Sequence, residues 1–399
     1  MQIAHQRLAG IVRGICKIST ALCLLPTVAM AVMLFNDADP TTNTTAPTGE
    51  FANSGWQDEG QWGSFLGTPI APYFFITAAH VGQQATVFNY QGENYTIERS
   101  YSLANSDLII WQVAQAFPSF APLYTKSDEV DQHLVVFGRG TQRGAVVESN
   151  SVEVGWYWGT ADHVQRWGEN IVADIVSLGA PKNDFLYATV DQNGLPNEAM
   201  LSSGDSGGAV FLDDNGTWRL AGINYAVDGP YYLDDAGDGA FNAALFDSRG
   251  FWLQNDTPPP AYTEITGTNP VPAGFYATRI SSKLGWIYSV TDPLGNMAGD
   301  GIPNLLKYAL NMDPLTATDA ELPKVACDGV YLSLTYTKNL SATDLSYSIE
   351  QSPDLINWTT AVSADEVISA TNTIQVVKAS VLMTPNRPLF LRLRVTRNE

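Results

Sequence analysis

The sequence contains 399 residues, with 41 Asp and Glu against 21 Lys and Arg, a formal net charge of −20 and 45% hydrophobic residues. This acidity argues against a nucleic-acid partner, because no basic surface would neutralise the phosphate charge. The hydrophobic and aromatic content excludes a mainly disordered chain, and the length predicts more than one domain.

Residues 1–31 have the pattern of an export signal. Three basic residues precede the uncharged apolar run Ile18–Phe35, which is the order of charged and apolar regions in such signals. Ala29-Met30-Ala31 forms a small-x-small cleavage site, and Ala38 is a second candidate. Left uncut, the run is just long enough to anchor the chain in a membrane. We therefore expect a secreted, periplasmic or cell-surface protein, which contacts a membrane only if this segment stays attached.

Cleavage after Ala31 would also determine whether the chain can form a disulfide. Two of the three cysteines lie in the leader, so Cys327 would remain alone. An intrachain disulfide is then impossible. Stability outside the cytoplasm would have to come from core burial.

The next segments in chain order are a flexible linker and an all-β domain. Residues 32–55, rich in Thr and Asn, predict the linker. Over 56–255, β-branched and aromatic segments alternate with Gly, Asn and Asp, which predicts a sandwich or barrel. The clearest predicted strands are Phe74–Thr77, Ala85–Tyr90, Leu108–Val113, His133–Phe137, Ala209–Leu212 and Trp218–Ile223.

A second linker and a separate C-terminal domain follow. Residues 256–274 include three consecutive prolines and predict a linker that makes the tail dispensable for chemistry. Residues 275–399 predict a small β-sandwich-like accessory domain with one short helix, Ile302–Leu310. Its predicted strands are Val330–Thr337, Leu345–Gln351, Thr373–Lys378 and Leu389–Val395.

Three short motifs in the all-β domain carry reactive side chains next to apolar strands. Phe75–His80 ends in a histidine, Asn105–Ile110 contains Asp107, and Gly204–Gly208 contains Ser206. A serine hydroxyl becomes a nucleophile when an imidazole accepts its proton, and a carboxylate orients that imidazole. Glycines around the serine let backbone N–H groups converge on one oxyanion.

The order of these motifs separates two serine-hydrolase folds. Gly204–Gly208 also fits the Gly-x-Ser-x-Gly elbow of the α/β-hydrolases, which requires the order Ser, acid, His. No histidine follows His163, so the α/β-hydrolase interpretation fails. The order here is His, Asp, Ser.

Over residues 56–255 the sequence resembles the chymotrypsin/trypsin-like serine protease family, through Thr-Ala-Ala-His at 77–80, Ser-Asp-Leu-Ile-Ile at 106–110 and Gly-Asp-Ser-Gly-Gly at 204–208. The resemblance implies two antiparallel six-stranded β-barrels with the active site between them. It assigns His80 as general base and acid, Asp107 as orienting carboxylate and Ser206 as nucleophile. The N–H groups of Gly204 and Ser206 would form the oxyanion hole.

Activation departs from the pattern of the family. In many members a cut after a basic residue frees an Ile or Val amine, which pairs with the carboxylate before the nucleophile, here Asp205. No Lys or Arg lies between Lys17 and Arg99, so such a cut is impossible between residue 18 and His80. Asp205 must find another partner, or the amine must come from a different cut. The missing cysteines near the motifs suggest a bacterial-type member.

The residues expected at the specificity pocket also depart from the pattern of the family. Met200 stands where trypsin-like members carry the acidic pocket floor, so an apolar or small substrate side chain is expected. Asp228 and Asp238 lie in a loop near the presumed pocket wall and leave a basic preference open. The resemblance places the pocket walls at 220–223 and 239–241.

The tail contains a degenerate calcium-loop-like segment, and its following β region resembles accessory domains of secreted bacterial enzymes. Around Asp300 the spacing approaches an acidic repeat, but Lys307 replaces the terminal Glu and would repel calcium. We therefore expect a structural turn and no metal site. His133 and His163 show no metal-ligand spacing either. The ligand of the tail is unknown from the sequence.

The sequence thus predicts a secreted serine endopeptidase that acts on protein or peptide substrates through an acyl-enzyme, without a cofactor. Two alternatives stay open. One is a catalytically inactive protease-like binding protein, because a scaffold can persist without its chemistry. The other is a surface adhesion protein that acts through its C-terminal domain.

Overall fold

The computed structural model describes residues 32–177, 184–255, 259–340, 342–343 and 345–397. The predicted leader and its Ala29-Met30-Ala31 cleavage site lie outside these residues. Strands dominate the described chain, so the all-β prediction is confirmed. Within the described ranges, no helix is both long and apolar enough to cross a membrane.

The first β unit is a closed barrel. The strands in the described chain up to Val113 are β1 (Met33–Leu34), β2 (Gly60–Trp62), β3 (Phe65–Ala71), β4 (Phe74–Ala78), β5 (Val87–Tyr90), β6 (Glu93–Ser102) and β7 (Leu108–Val113). Six of them close in the order β2-β3-β4-β7-β6-β5. Every residue of β4 and β7 is buried, because these strands are covered on both faces. The barrel centre is filled by Trp62, Phe75 and Phe88.

The second β unit is built on a seven-stranded antiparallel sheet. Its strands, with those of two small flanking sheets, are β8 (His133–Gly138), β9 (Thr141–Ser149), β10 (Val152–Ala161), β11 (Arg166–Ile171), β12 (Asp174–Ser177), β13 (Asp184–Thr189), β14 (Ala199–Met200), β15 (Ala209–Asp213), β16 (Trp218–Val227), β17 (Tyr231–Tyr232), β18 (Ala243–Leu245), β19 (Trp252–Asn255), β20 (Ala261–Glu264) and β21 (Gly274–Arg279). The sheet order is β11-β8-β15-β16-β21-β13-β12. Asn170 Nδ2 on β11 donates to the Thr189 carbonyl on β13 at 2.7 Å. The sheet therefore curls back on itself, and β12 is the strand beyond the six that were expected.

In the described part of the chain, four 3₁₀ helices and two α-helices precede the tail strands. They are Gly49–Phe51, Trp56–Asp58, Ala79–Val81, Ser281–Lys283, α1 (Leu284–Thr291) and α2 (Asn304–Ala309). The predicted helix at 302–310 corresponds to α2. The sequence analysis did not predict α1.

The predicted linker at 32–55 is wrong as a description of this segment. Met33–Leu34 forms β1 and pairs with β14, and Phe51 joins the barrel core. Asn43 Nδ2 donates to the Trp167 carbonyl at 3.0 Å. The Thr- and Asn-rich composition resembles a flexible spacer, but these polar groups find their partners on the second β unit.

The predicted linker at 256–274 and the domain boundary at 255 are also wrong. β20 pairs with β19, and β21 lies between β16 and β13 near the middle of the seven-stranded sheet. Ile287 and Val290 of α1 then pack into the core of the first barrel. The double-barrel unit therefore extends to about residue 291, because its last strand and helix come after the proline-rich stretch.

The C-terminal unit contains two small antiparallel sheets. Its strands are β22 (Lys324–Cys327), β23 (Tyr331–Asn339), β24 (Leu345–Ser352), β25 (Thr359–Thr360), β26 (Ala364–Ala370), β27 (Ile374–Leu382) and β28 (Phe390–Arg397). The sheet orders are β22-β23-β27-β26 and β25-β24-β28. Leu334, Ile349 and Val377 form part of a core shared by both sheets, so they pack face to face.

Candidate active site

The three predicted reactive residues lie at strand ends that meet between the two β units. His80 sits in the 3₁₀ turn after β4, and Asp107 immediately precedes β7. These strands are paired, and the Ala79 N–H donates to the Asp107 carbonyl at 2.9 Å. Ser206 lies in the loop before β15 of the second unit. The first barrel therefore supplies the imidazole and the carboxylate, and the second supplies the hydroxyl.

The side chains form a continuous hydrogen-bonded chain. His80 Nδ1 lies 2.6 Å from Asp107 Oδ2, and His80 Nε2 lies 2.7 Å from Ser206 Oγ. The His80 backbone N–H also donates to Asp107 Oδ1 at 2.9 Å. Because a carboxylate only accepts, Asp107 holds the proton of a neutral His80 on Nδ1. Nε2 is then left as an acceptor for the Ser206 hydroxyl.

The loop around Ser206 is tight enough to require its glycines. Gly204 has φ +97° and Gly207 has φ +80°, both in the left-handed region that glycine favours. A Cβ on Gly207 would collide with Thr77 Oγ1 and lie 2.8 Å from the Leu66 carbonyl oxygen. The motif therefore lets the second unit approach the first barrel closely beside Ser206.

Two backbone donors of this loop are unengaged. Among the described residues, neither the Gly204 N–H nor the Ser206 N–H donates to a protein acceptor. Backbone N–H groups that converge beside a nucleophile are suited to hold a developing oxyanion. These are the two residues predicted to form the oxyanion hole, and that role stays a prediction.

Asp205 points away from Ser206 into the second unit, where it is buried. Its carboxylate accepts from the Gly140 N–H at 2.7 Å, from the Ser202 N–H at 2.8 Å and from Ser202 Oγ at 3.0 Å. Burial raises the pKa of Asp205 to about 6, against the lowering effect of these hydrogen bonds. Among the described residues, no Lys, Arg or His side chain forms an ion pair with Asp205.

A cavity of about 150 Å³ opens beside Ser206. Its lining is mostly apolar and includes Trp158, Leu201, Tyr225, Ala226 and Val227. The placement of Met200 at its floor is wrong. Met200 is fully buried on β14, because that strand pairs with β1 and turns the thioether into the core of the second unit.

The two candidate acids of the pocket are also misplaced. Asp228 accepts from the Tyr187 hydroxyl, the Gly274 N–H and the Tyr276 hydroxyl, so its carboxylate is committed to holding β21. Asp238 lies in an exposed turn, where its N–H donates to Asp234 Oδ1. Neither lines the cavity. The cavity wall is formed by 224–227 of β16, just beyond the expected 220–223, and the expected wall at 239–241 does not border it.

Three site residues were missed by the sequence analysis. The Tyr225 ring lies 5.9 Å from the His80 ring, edge to face, and stacks on Phe185 at 4.7 Å. Its place two residues after a predicted wall strand was a usable signal. Trp158 carried no local signal, because it reaches the cavity from β10, far from Ser206 in the sequence. Leu201 lies five residues before Ser206, so its closeness to the motif was a usable signal.

In the calcium-loop-like segment of the tail, the ammonium of a lysine occupies the cation position. Lys307 is fully buried, and its Nζ lies 2.7 Å from Asp300 Oδ2 and 3.1 Å from the Thr316 carbonyl oxygen. This contact holds the pKa of Asp300 below its usual value. Elsewhere, His133 Nε2 lies 2.7 Å from Glu169. Across the described ranges, no three His, Cys, Asp or Glu side chains cluster as metal ligands would.

Comparisons with known proteins find low similarity. No protein-family model matches the chain. No curated protein matches it either. Among solved structures, the Rv3671c protease in an inactive form is 17% identical, over 40% of this chain and 71% of that chain, with a TM-score of 0.28. Kallikrein-related peptidase 10 is 15% identical over 60% and 97%, with a TM-score of 0.33.

A second Rv3671c structure, a serine-to-alanine mutant from M. tuberculosis H37Rv in an inactive form, is 15% identical. It covers 59% of this chain and 88% of that chain, with a TM-score of 0.32. Similarity at this level supports no inference about chemistry. The functional proposal therefore depends on the geometry of the site.

Proposed function

We propose that the chain is an exported serine endopeptidase that hydrolyses peptide bonds through an acyl-enzyme. The observation that carries this proposal is the hydrogen-bonded chain from Asp107 through His80 to Ser206, with two unengaged N–H groups beside the hydroxyl. Such an arrangement combines an activated nucleophile with stabilisation of the charge that develops on the substrate.

In this proposal Ser206 Oγ attacks the scissile carbonyl carbon while His80 Nε2 takes the hydroxyl proton. The carbonyl oxygen becomes negative and accepts hydrogen bonds from the Gly204 and Ser206 N–H groups. His80 then gives its proton to the leaving amine, and an ester to Ser206 remains. Water, deprotonated by the same imidazole, releases the acid. Asp107 stabilises the charged imidazole throughout.

The lining of the cavity supports a substrate with an apolar side chain before the scissile bond. Trp158, Leu201, Tyr225 and Val227 offer carbon surface to that side chain, and the carboxylate of Asp205 is already taken by three donors. A buried lysine or arginine would lack a counter-charge there, which costs several kcal/mol. Cleavage-site mapping on a mixed peptide library tests this, and cuts dominated by Lys or Arg would contradict it.

Fluorophosphonate labelling tests the chemistry itself, because the probe reacts with an activated serine and not with an ordinary one. The purified chain should be labelled once, on Ser206. Ser206→Ala should abolish labelling, and His80→Ala should slow it to the background rate, since the two side chains act as a unit.

Ser177→Ala is a matched control, because Ser177 is exposed on the outer strand β12, away from the cavity. It should be labelled at the wild-type rate. If the wild type is not labelled although it is folded, the protein is a protease-like scaffold without its chemistry. Labelling that persists in Ser206→Ala would assign the reaction to another serine.

A further inference from the structure

An open pocket lined by acids lies on the double-barrel unit, away from the catalytic cavity. It has a volume of about 520 Å³ and lies between the 49–58 segment, the loop at 119–122 and the hairpin of β15 and β16. Its charged lining residues are Glu50, Asp58 and Asp213, and no basic side chain of the described chain lines it. We call it the acidic pocket. Because β15 starts just after the Ser206 loop and ends at Asp213, the acidic pocket lies at the far end of this strand from Ser206.

Asp58 presents a buried and only half-satisfied carboxylate to this pocket. It is 7% exposed, at the end of the 3₁₀ turn Trp56–Asp58. Gln57 Nε2 donates to Asp58 Oδ2 at 3.0 Å, whereas Oδ1 accepts no hydrogen bond from any described residue. Burial raises the pKa of Asp58 to about 6, against the lowering effect of Gln57. A buried carboxylate oxygen without a donor or an opposite charge is costly, so Asp58 lacks a partner.

The cations of the neighbouring hairpin are already paired elsewhere. Arg219 Nε donates to Asp214 Oδ2 at 2.9 Å, and Lys126 Nζ donates to Asp214 Oδ1. Asp214 does not line the acidic pocket. Within the described ranges, Asp58 therefore has no counter-charge, and one would have to come from a bound molecule.

The rest of the lining combines further negative charge with aromatic carbon. Glu50 and Asp213 are exposed at the rim. The Asp213 Oδ1 accepts from the Gly216 N–H at 2.7 Å, which holds the hairpin turn in place. Phe120, 46% exposed, and Trp218 supply carbon surface to the same pocket. A cation with an apolar stem would contact both kinds of surface at once.

The spacing of the carboxylates favours an organic cation over a metal ion. Calcium and magnesium need several oxygen ligands around one point. In the part of the chain that the structure describes, no three acidic, histidine or cysteine side chains come together in that way. Carboxylates distributed around a pocket of about 520 Å³ fit a larger ion.

We propose that the acidic pocket binds an alkyl guanidinium or alkyl ammonium ion, whose charged group contacts Asp58 and whose stem contacts Phe120 and Trp218. Glu50 and Asp213 would raise the local concentration of such a cation at the rim. The proposal does not depend on the peptidase function, because no residue of the acidic pocket belongs to the Asp107–His80–Ser206 chain. The cation is either a free molecule or the side chain of a basic peptide, since both present the same group.

Isothermal titration calorimetry on the purified full-length chain tests this. Every chain carries Ser206→Ala, so that no peptide is hydrolysed. Agmatine represents the free cation, and an acetylated and amidated Gly-Arg-Gly tripeptide represents the side chain. Tighter binding of the tripeptide assigns a basic peptide, and tighter binding of agmatine assigns a free cation. The same tripeptide with citrulline in place of arginine has the shape without the charge and should not bind.

The variants locate the binding. Asp58→Asn keeps the shape of the side chain but removes its charge, so the affinity should fall at least tenfold. Glu50→Gln should weaken binding by about two- to threefold, because an exposed charge is screened by water. Glu366→Gln is the matched control, since it removes the same charge from an exposed position on β26 and should change nothing. Even if Asp58→Asn fails to fold, the comparison of Glu50→Gln with Glu366→Gln remains decisive, because both side chains are exposed.

Three results would overturn the proposal. The first is equal affinity for the arginine and citrulline tripeptides, which would show that charge is not recognised. The second is an equal loss in Glu50→Gln and Glu366→Gln, which would show attraction by the net charge of the chain alone. The third is a loss of binding in Trp158→Ala together with unchanged binding in Asp58→Asn, which would place the cation in the cavity beside Ser206.

Discussion

The double-barrel unit and the C-terminal unit treat an aspartate carboxylate in opposite ways. In the tail, the Asp300 carboxylate holds Lys307 at 2.7 Å, and the pKa of Asp300 falls below its usual value. In the barrel, Asp205 has no side-chain cation among the described residues, and burial raises its pKa to about 6. In the tail a lysine balances the charge of the carboxylate, whereas in the barrel Gly140 and Ser202 hold the carboxylate as uncharged donors.

This difference shows that a spacing similar to that of a ligand site can be occupied by a side chain of the same protein. It also shows that a carboxylate can be buried without an opposite charge beside it. Lys307 converts a cation-binding spacing into an internal ion pair. Asp205 keeps its carboxylate among uncharged hydrogen-bond donors.

The largest expected effect is on folding, and it comes from truncating the chain at two different positions. A chain that ends at 255 should not fold, because it loses β21 from between β16 and β13 and exposes the backbone of both strands. The loss should equal the whole stability of a typical domain, about 5–15 kcal/mol. A chain that ends at 291 keeps β21 and α1, so it should fold and label on Ser206.

Circular dichroism and labelling of the two truncated chains check this, with the full chain as reference. A folded, reactive chain ending at 255 would show that β21 is dispensable. A chain ending at 291 that unfolds would show that the tail supports the barrel. The prediction of a tail that is independent of the chemistry would then fail.

Most of the strands and the three reactive side chains could be predicted because each has a local signal. Phe74–Thr77 and Leu108–Val113 are continuous apolar runs, and the structure has strands there. The proline-rich stretch misled the boundary, since prolines mark a loop and not the end of a domain. The position of β21 depends on pairing with strands far away in sequence, which no local pattern encodes.

The pocket shows the same limit at the level of side chains. Met200 was assigned by its spacing from Ser206, but the pairing of β14 with β1 turns it into the core. Trp158 reaches the cavity from β10, about 50 residues upstream of Ser206 in the sequence. Loop lengths differ between similar proteins, so counting residues from a motif does not locate a pocket wall.

The second effect is a pH dependence of the stability of the double-barrel unit. An acid with a raised pKa holds its proton more tightly when folded, so stability is highest below the unfolded pKa and falls as pH rises through the folded one. For Asp205, with a folded pKa of about 6 against 3.8, the loss between pH 4 and pH 7 should be about 2–3 kcal/mol.

Glu198, whose burial raises its pKa to about 7, adds a loss of the same sign. The Asp205 share is therefore the difference between the wild-type chain and Asp205→Asn, measured by denaturant unfolding at several pH values. An unchanged pH profile in Asp205→Asn would show that Asp205 does not titrate in this range.

The third effect concerns the tail, where the carboxylate of Asp300 is balanced by a cation and removal of that cation should destabilise the fold. Lys307→Met keeps the length and apolar stem of the side chain but removes the ammonium from Asp300 and the Thr316 carbonyl. The midpoint of tail unfolding should fall by about 5 °C, while the rate of Ser206 labelling should not change. Lys324→Met is the control, because Lys324 is exposed on β22.

Calcium provides a sharper version of the same test. The wild-type tail should show no shift in unfolding temperature with added calcium, since Lys307 occupies the cation position. Lys307→Glu would restore the acidic residue at this point and should make the unfolding temperature depend on calcium. A calcium response already present in the wild type would contradict the view that the site is filled.

The smallest expected effect is a change of substrate preference that belongs to the barrel alone. Trp158→Ala removes an indole from the wall of the cavity beside Ser206, so larger side chains should fit before the scissile bond. The ratio of kcat/KM for a Phe substrate over an Ala substrate should rise about tenfold, the size that pocket contacts commonly provide. Met200→Leu, a similar volume in the core, should leave the ratio unchanged.

Both variants are best measured in the full chain and in the chain that ends at 291. If the cavity beside Ser206 sets the preference, the Trp158→Ala ratio changes equally in the two lengths, because the tail contributes no residue to the lining. A change seen only with the tail present would place part of the substrate site on the C-terminal unit. A change in Met200→Leu that matches Trp158→Ala would return Met200 to the pocket, against the burial of its side chain behind β1.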